Sequence, residues 1–356
     1  MTDSRLQQAR IFFKTHCPEG TDVEIRFADA SHRRYLRGQT ATGSMIIMDA
    51  PPEQEPVTAF LRIRQRLEAH NLPVPKLYAE DREQGFLLLE DLGDTTLFDL
   101  HRNDPQHSIN GLQAVSALLP RLAKVDTQGL PCFDKAELKR EISLFTDWYI
   151  PYRCQQSQLV WRAANADIFA ERIDWLCTQL AALPPVFVHR DYHARNLMLC
   201  DETKPRWVMI DFQDALAGPL GYDLISLLRD SYIDWPLADI ARMERQFYHT
   251  ACQEGLFDGN LADFEHQLGM IAVQRHLKVL GIFVRLAQRD EKNGYLADLP
   301  LTFQHLDHAL TRVPELRPLR PIVEPFAPIQ QGSSKNCHEP PKCKEPRNER
   351  RDLSTR

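Results

Sequence analysis

The sequence predicts a bilobal α+β protein, with a small N-terminal lobe of mostly antiparallel strands and one helix, then a larger, mainly helical lobe. Three observations carry this prediction. Short strand-like runs crowd the first 93 residues, and helical periodicities fill most of the chain from Leu97 to Leu310. Between Val186 and Asp214 the helical pattern gives way to three brief apolar runs, each adjoining a polar cluster. A length of 356 residues suffices for two such lobes, and 43% hydrophobic with 26% charged residues is the balance of a globular chain.

In chain order, Arg5 to Thr15 reads as an amphipathic helix with Leu6, Ala9, Ile11, Phe12 and Phe13 on its apolar side. VEIRF (23–27) and HRRYLRG (32–38) alternate as two strands around the turn ADAS, and SMIIMD (44–49), more uniformly apolar, reads as a central third strand. A helix is expected from Glu53 to His70 with Phe60, Ile63 and Leu67 on one face. KLYAED and GFLLLEDL supply two further strands. Helices are then expected over Ser108–Val125, Asp134–Tyr149 and Ala166–Leu183, with further helical runs after the polar cluster and one over Pro300–Leu310. Beyond Val323 the chain is rich in Pro, Lys and Arg and poor in large apolar residues, so disorder is expected. The expected division is 1–93, 94–323 and a tail of 324–356.

The chemistry concentrates in VFVHRDYHARN and IDFQD. The spacing His189-x-Asp191-x4-Asn196, with Asp211 following after a further apolar run, resembles the catalytic loop and metal-binding Asp of kinase-fold phosphotransferases. Gln213 stands where that pattern usually has Gly. The second histidine, His193, is shared with the aminoglycoside and choline kinase-like family. Three strands, a helix and two strands ahead of this loop match the small lobe of the same fold.

Phosphoryl transfer asks for positioning and charge stabilisation. Asp191 is the candidate catalytic base, accepting the proton of an acceptor hydroxyl. Asn196 and Asp211 are the candidate Mg²⁺ ligands, being hard oxygen donors. By resemblance to the fold, the hinge at Glu90–Gly93 implies that Glu90 and Leu92 meet the adenine of ATP. His189 is expected to brace the loop, and Asp223 to tie a helix start to it. The small lobe departs from the usual kinase pattern. No Lys lies between Lys14 and Lys76, and ADASHRRY lacks the multiple glycines of a phosphate-wrapping loop. Ser31 and either Arg33 or Arg34 are the candidate nucleotide contacts in their place.

DASHRRYLR, MIIMDAPPE, FLLLEDLGD, FVHRDYHARNLM, IDFQDALAGPLGYDLISLLRD and LKVLGIFVRLAQRD with YLADLP together resemble the bacterial N-acetylmuramate/N-acetylglucosamine anomeric kinases. The resemblance runs over nearly all of residues 1–323. It implies ATP-dependent phosphorylation of the C1 hydroxyl of a free amino sugar during peptidoglycan recycling. Composition and spacing alone give only a small-molecule kinase of unknown acceptor. Aminoglycoside or choline/homoserine-type kinases compete with that reading, as does a nucleotide-binding pseudokinase without turnover.

A net charge of −6 argues against a nucleic-acid partner. No apolar run reaches the ~20 residues of a membrane span, and the N-terminus lacks a signal-peptide pattern. A cytoplasmic monomer is therefore expected, with its eight scattered cysteines reduced. Cys337, His338 and Cys343 in the tail do not complete a metal-ligand set.

Overall fold

Alternation in the first 90 residues builds one five-stranded antiparallel sheet. A computed structural model describes residues 4–28, 33–54, 56–200 and 204–328. Helix α1 (Ser4–His16) leads into β1 (Thr21–Ala28), β2 (Arg34–Thr40) and β3 (Gly43–Asp49). Then follow α2 (Thr58–Ala69), β4 (Leu77–Asp81) and β5 (Phe86–Glu90). The strand order is β1-β2-β3-β5-β4, which makes β3 central as its apolar sequence requires.

The register assigns each face. Leu36 pairs with Ile47 and Ile47 with Leu88, and these three bury against Ala9, Phe12 and Phe13 of α1. Met48, Leu87 and Leu89 point the other way, into the main core with Phe60, Ile63 and Leu67 of α2. Because side chains alternate, a slip of one residue would exchange these two faces. Helix α2 starts at Thr58, later than the expected Glu53, since Pro56 cannot donate an N–H to a preceding turn.

The helical part begins with α3 (Leu97–Asn103), α4 (Pro105–Ser116) and α5 (Leu119–Ala123). Thr96 and Asp99 form a reciprocal capping box on α3, and Asp104 caps α4 by accepting from the His107 N–H at 2.9 Å. The single helix expected over Ser108–Val125 is thus two, because Pro120 occupies the first turn of a new helix. Helix α6 (Lys135–Leu144) widens into a π-helical turn over Phe145–Tyr149 before α7 (Ile150–Ser157). Pro151 has no N–H for the carbonyl four residues earlier, and the Ile150 N–H bonds to Phe145 instead. Helix α8 (Ala163–Ala181) precedes β6 (Pro185–Val188), β7 (Leu197–Leu199), β8 (Trp207–Met209) and β9 (Leu216–Pro219). These strands pair as two small antiparallel ladders, β6 with β9 and β7 with β8.

The chain continues through α9 (Tyr222–Leu228), α10 (Leu237–Gln253), the 29-residue α11 (Leu261–Arg289), α12 (Leu299–Arg312) and α13 (Arg320–Val323). Helix α11 is buried along most of its length and packs against α6, α9 and α12. Fixed structure continues past the expected boundary at Val323. Phe326 is 2% exposed, its carbonyl accepts from the Tyr149 hydroxyl at 2.7 Å, and Ala327 accepts from Arg153 at 2.6 Å. The expected tail therefore starts too early, because Phe326 is a large apolar anchor in an otherwise polar segment. Residues 329–356, including Cys337, His338 and Cys343, lie outside the described residues. Among those described, Cys17, Cys132, Cys154, Cys177, Cys200 and Cys252 are free thiols, and no helix is long and apolar enough to cross a membrane.

Candidate active site

The loop after β6 is held by two buried carboxylates. Asp223, in the first turn of α9, accepts the His189 N–H at 2.7 Å and the Arg190 N–H at 3.0 Å. Asp230 accepts the Ala194 N–H and the Tyr232 N–H, both at 3.0 Å. Burial pushes these carboxyls up, Asp223 to about 7 and Asp230 to about 6, while the donated N–H groups pull the other way. Asp223 thus ties a helix start to the loop, as the sequence reading expects. Asp230 was not foreseen.

Within the loop, the His193 N–H donates to the Asp191 carbonyl at 3.0 Å, and Asn196 Nδ2 donates to the same oxygen at 3.0 Å. Asn196 Nδ2 also lies 3.4 Å from Asp211 Oδ2, and Gln213 Nε2 donates to Asp211 Oδ1 at 2.7 Å. The three residues expected to carry chemistry, Asp191, Asn196 and Asp211, are therefore gathered in one place. Arg190 has φ +81° and Asp211 φ +65°, backbone conformations that non-glycine residues adopt at a cost of ~1–3 kcal/mol. The ladders β6–β9 and β7–β8 hold them there.

Asp191 is half-buried. Burial pushes its carboxyl up, but Lys278 and Arg275 outweigh that and hold it below its ordinary value. Burial drives His189 down to about 4 and His193 to about 3, so both rings are neutral near pH 7. His189 braces the loop through its main-chain N–H, and its ring packs edge-on against Tyr192. Behind the loop, Arg190 Nη2 meets buried Glu141 at 2.6 Å, and Lys278 Nζ meets the same carboxylate at 2.9 Å. Gln274 Nε2 takes its other oxygen at 2.9 Å, and Arg275 Nη1 donates to the Arg190 carbonyl at 3.0 Å.

Asn196 and Asp211 present oxygen donors only, which suits Mg²⁺ completed by phosphate oxygens and water. Among the described residues, no group of three or more His, Cys, Asp or Glu side chains gathers as a self-sufficient metal site.

On the sheet side, Leu92 buries against Met198 and Val208, with Ile210 and Cys200 packed on them, in a small apolar cluster apart from the main core. The Glu90 N–H donates to the Lys76 carbonyl, and its carboxylate pairs with Arg206. Arg34 pairs with fully buried Asp49 at 2.6 Å, as the β2–β3 register places it, and Arg5 shares that carboxylate. Arg33 is buried at the start of β2, 6% exposed. Ser31 lies outside the described residues. Arg37 was missed by the sequence reading. It is 8% exposed and clamps the segment after β5 by meeting Asp91 at 2.6 Å and Asp94 at 2.8 Å.

Arg275, Lys278 and Glu141 were also missed. The available signal was weak: charged residues at helix positions whose neighbours, such as Leu277, Val279 and Ile142, are buried and apolar.

The model of a family described as the phosphotransferase enzyme family matches residues 23–257. The chain is 38% identical to the N-acetylmuramate/N-acetylglucosamine kinase of Pseudomonas aeruginosa, over 93% of this chain and 98% of that one. It is 36% identical to the enzyme of the same name from Neisseria meningitidis serogroup B, over 85% of this chain and 90% of that one. Among solved structures, a choline/ethanolamine kinase family protein from Mesorhizobium loti superposes with a TM-score of 0.58 at 14% identity, covering 89% of this chain and 99% of that one. An ADP-bound aminoglycoside phosphotransferase gives 0.55 at 13% identity, covering 88% and 100%. The fold is the one these proteins share.

Proposed function

Since the chain belongs to the phosphotransferase enzyme family, we propose that it transfers the terminal phosphoryl group of ATP to the anomeric hydroxyl of N-acetylmuramate and N-acetylglucosamine. One observation carries the chemistry. Asp191, held ionised by Lys278 and Arg275, shares a braced loop with the oxygen pair Asn196 and Asp211. The amino-sugar acceptor is supported by the names of the relatives, which match 93% and 85% of this chain.

In this reading the C1 hydroxyl gives its proton to the Asp191 carboxylate as its oxygen bonds to phosphorus. The bond to the β-phosphate oxygen breaks, and ADP leaves. Asn196 and Asp211 would hold Mg²⁺, which would supply charge neutralisation at the phosphate oxygens. The Glu90–Leu92 backbone and the apolar floor of Leu92, Met198 and Val208 receive the adenine. Arg34 pairs with Asp49, and Arg33 or Arg34, with Ser31, is the candidate for the phosphates. The enzyme works as a cytoplasmic monomer on sugars released from peptidoglycan.

The test is ADP release with ATP, Mg²⁺ and a panel of N-acetylmuramate, N-acetylglucosamine, kanamycin and choline. Turnover is expected with the two amino sugars. Turnover with kanamycin or choline alone would put the acceptor in the competing class, and ATP binding without any turnover would mark a pseudokinase.

A further inference from the structure

Arg195 sits four residues beyond Asp191 on the same loop and is half-buried. Its guanidinium carbon lies 3.7 Å from the centroid of the Tyr232 ring and 4.7 Å from that of Phe98. Two aromatic faces therefore fix the long side chain by cation–π contact. Among the described residues, no carboxylate comes within ion-pair distance of it. The carboxyls that feel its charge are Asp230 and Asp298, and the Asp230 oxygens are taken by two backbone N–H groups. A half-buried guanidinium with an unspent donor fork, on the same loop as a catalytic carboxylate, matches a planar anion.

Its direction separates it from the metal side. Ala194–Asn196 is a 3₁₀ turn, in which successive side chains diverge by about 120°. Asn196 turns toward Asp211, so Arg195 turns elsewhere, toward the wall made by α3 and the segment after α9. That wall continues through buried Phe283, 6.1 Å from Tyr232 and 5.2 Å from Tyr295, which leaves the partly exposed Tyr232 and Tyr295 as the rings able to pack on the apolar face of a pyranose.

We propose that Arg195 binds the lactyl carboxylate of N-acetylmuramate and so sets the preference between the two amino sugars. The inference rests on the proposed function. The two sugars differ by that acidic ether on O3, and with C1 at Asp191 the O3 substituent lies two ring carbons away. Arg195 is the guanidinium on the reacting loop that is held in place without an ion-pair partner. It is a specificity residue, and the proton of the reaction goes to Asp191.

The experiment compares wild type, Arg195→Met and Arg195→Lys in steady-state kinetics with each sugar, alongside melting temperatures. Met keeps the apolar length against Tyr232 and Phe98 and removes the charge. The ratio of kcat/KM for N-acetylmuramate over N-acetylglucosamine should fall about 10- to 100-fold in Arg195→Met, mostly through KM. Arg195→Lys should recover part of that ratio. Equal losses for both sugars would overturn the inference, because Arg195 would then serve the phosphates or the loop. An unchanged ratio would overturn it as well. If wild type phosphorylates neither sugar, the functional reading fails separately, and calorimetry of N-acetylmuramate binding to wild type and Arg195→Met still decides the residue's role. Weaker binding by the variant supports it, and equal binding sinks it.

Discussion

Asp191 illustrates how a residue's role is set by groups far from it in sequence. The motif places the carboxylate, but its charge state comes from Lys278 and Arg275 on α11, whose influence outweighs burial. Its folded value lies below the ordinary carboxylate value, so it is ionised at every pH above about 4. His189 and His193 stay neutral over that range, so neither contributes an inflection between about pH 5 and 8. An inflection of kcat/KM between about pH 5 and 7 would therefore come from Asp223 and Asp230, which hold the loop and are pushed up to about 7 and about 6, and loss of the Asp191 charge only from below about pH 4; a pH–rate profile checks it. Asp191→Asn should lower kcat by about 10²–10⁴-fold with little change in KM. Asp211→Asn should raise the Mg²⁺ concentration needed for half-maximal rate, seen in a metal titration. The spacing of Asp191, Asn196 and Asp211 was legible in the sequence because the motif is local. Arg37 and Glu141 were not legible in these roles, since what defines them is a partner, and that is a tertiary fact.

At the scale of elements, the crossing of α6 and α11 supports the loop from behind. Glu141 on α6 is the common carboxylate of Arg190 on the loop and Lys278 on α11. Burial pushes Glu141 up, but Lys278 and Arg190 bring it below its ordinary value. Its contribution to stability is therefore present above the unfolded value near 4.3 and is lost as pH falls through the lower folded value. Glu141→Gln leaves buried Lys278 uncompensated and should cost about 3–5 kcal/mol in denaturant unfolding, with a flatter acid limb of stability. The same crossing is close enough that a Cβ at Gly281 would stand 2.3 Å from the Leu144 carbonyl. Gly281→Ala should lower stability by about 1–3 kcal/mol, read as a shift in the unfolding midpoint at constant slope. Helix positions and the sheet's alternation were visible as periodicity. The π turn and the break at Pro120 were not, because a proline in a helical pattern fixes a break without stating which geometry absorbs it.

Over the whole molecule, a twisted sheet buttressed by α1 and α2 stands ahead of a helical body whose spine is α11, with the reacting loop on the two small ladders between them in sequence. The body is closed at its end by Phe326. Ending the chain at Val323 removes this anchor and the acceptors of Tyr149 and Arg153, whereas ending it at Pro328 keeps them. The shorter chain should be the less stable by about 3–5 kcal/mol, the scale of deleting a buried aromatic side chain, and paired thermal melts test this. The order of strands and helices was legible because local patterns add up to it. That a polar-looking segment starts with a buried anchor was not, because one phenylalanine carries no periodicity.

The central claim is phosphoryl transfer from ATP to the anomeric oxygen of an amino sugar through Asp191. Phosphorus NMR of the product formed from N-acetylglucosamine tests it most directly. The account predicts a phosphate coupled to the anomeric proton, formed by wild type and not detectably by Asp191→Asn in the same time. A phosphate coupled to the C6 protons, or an undiminished anomeric signal from the variant, would contradict it.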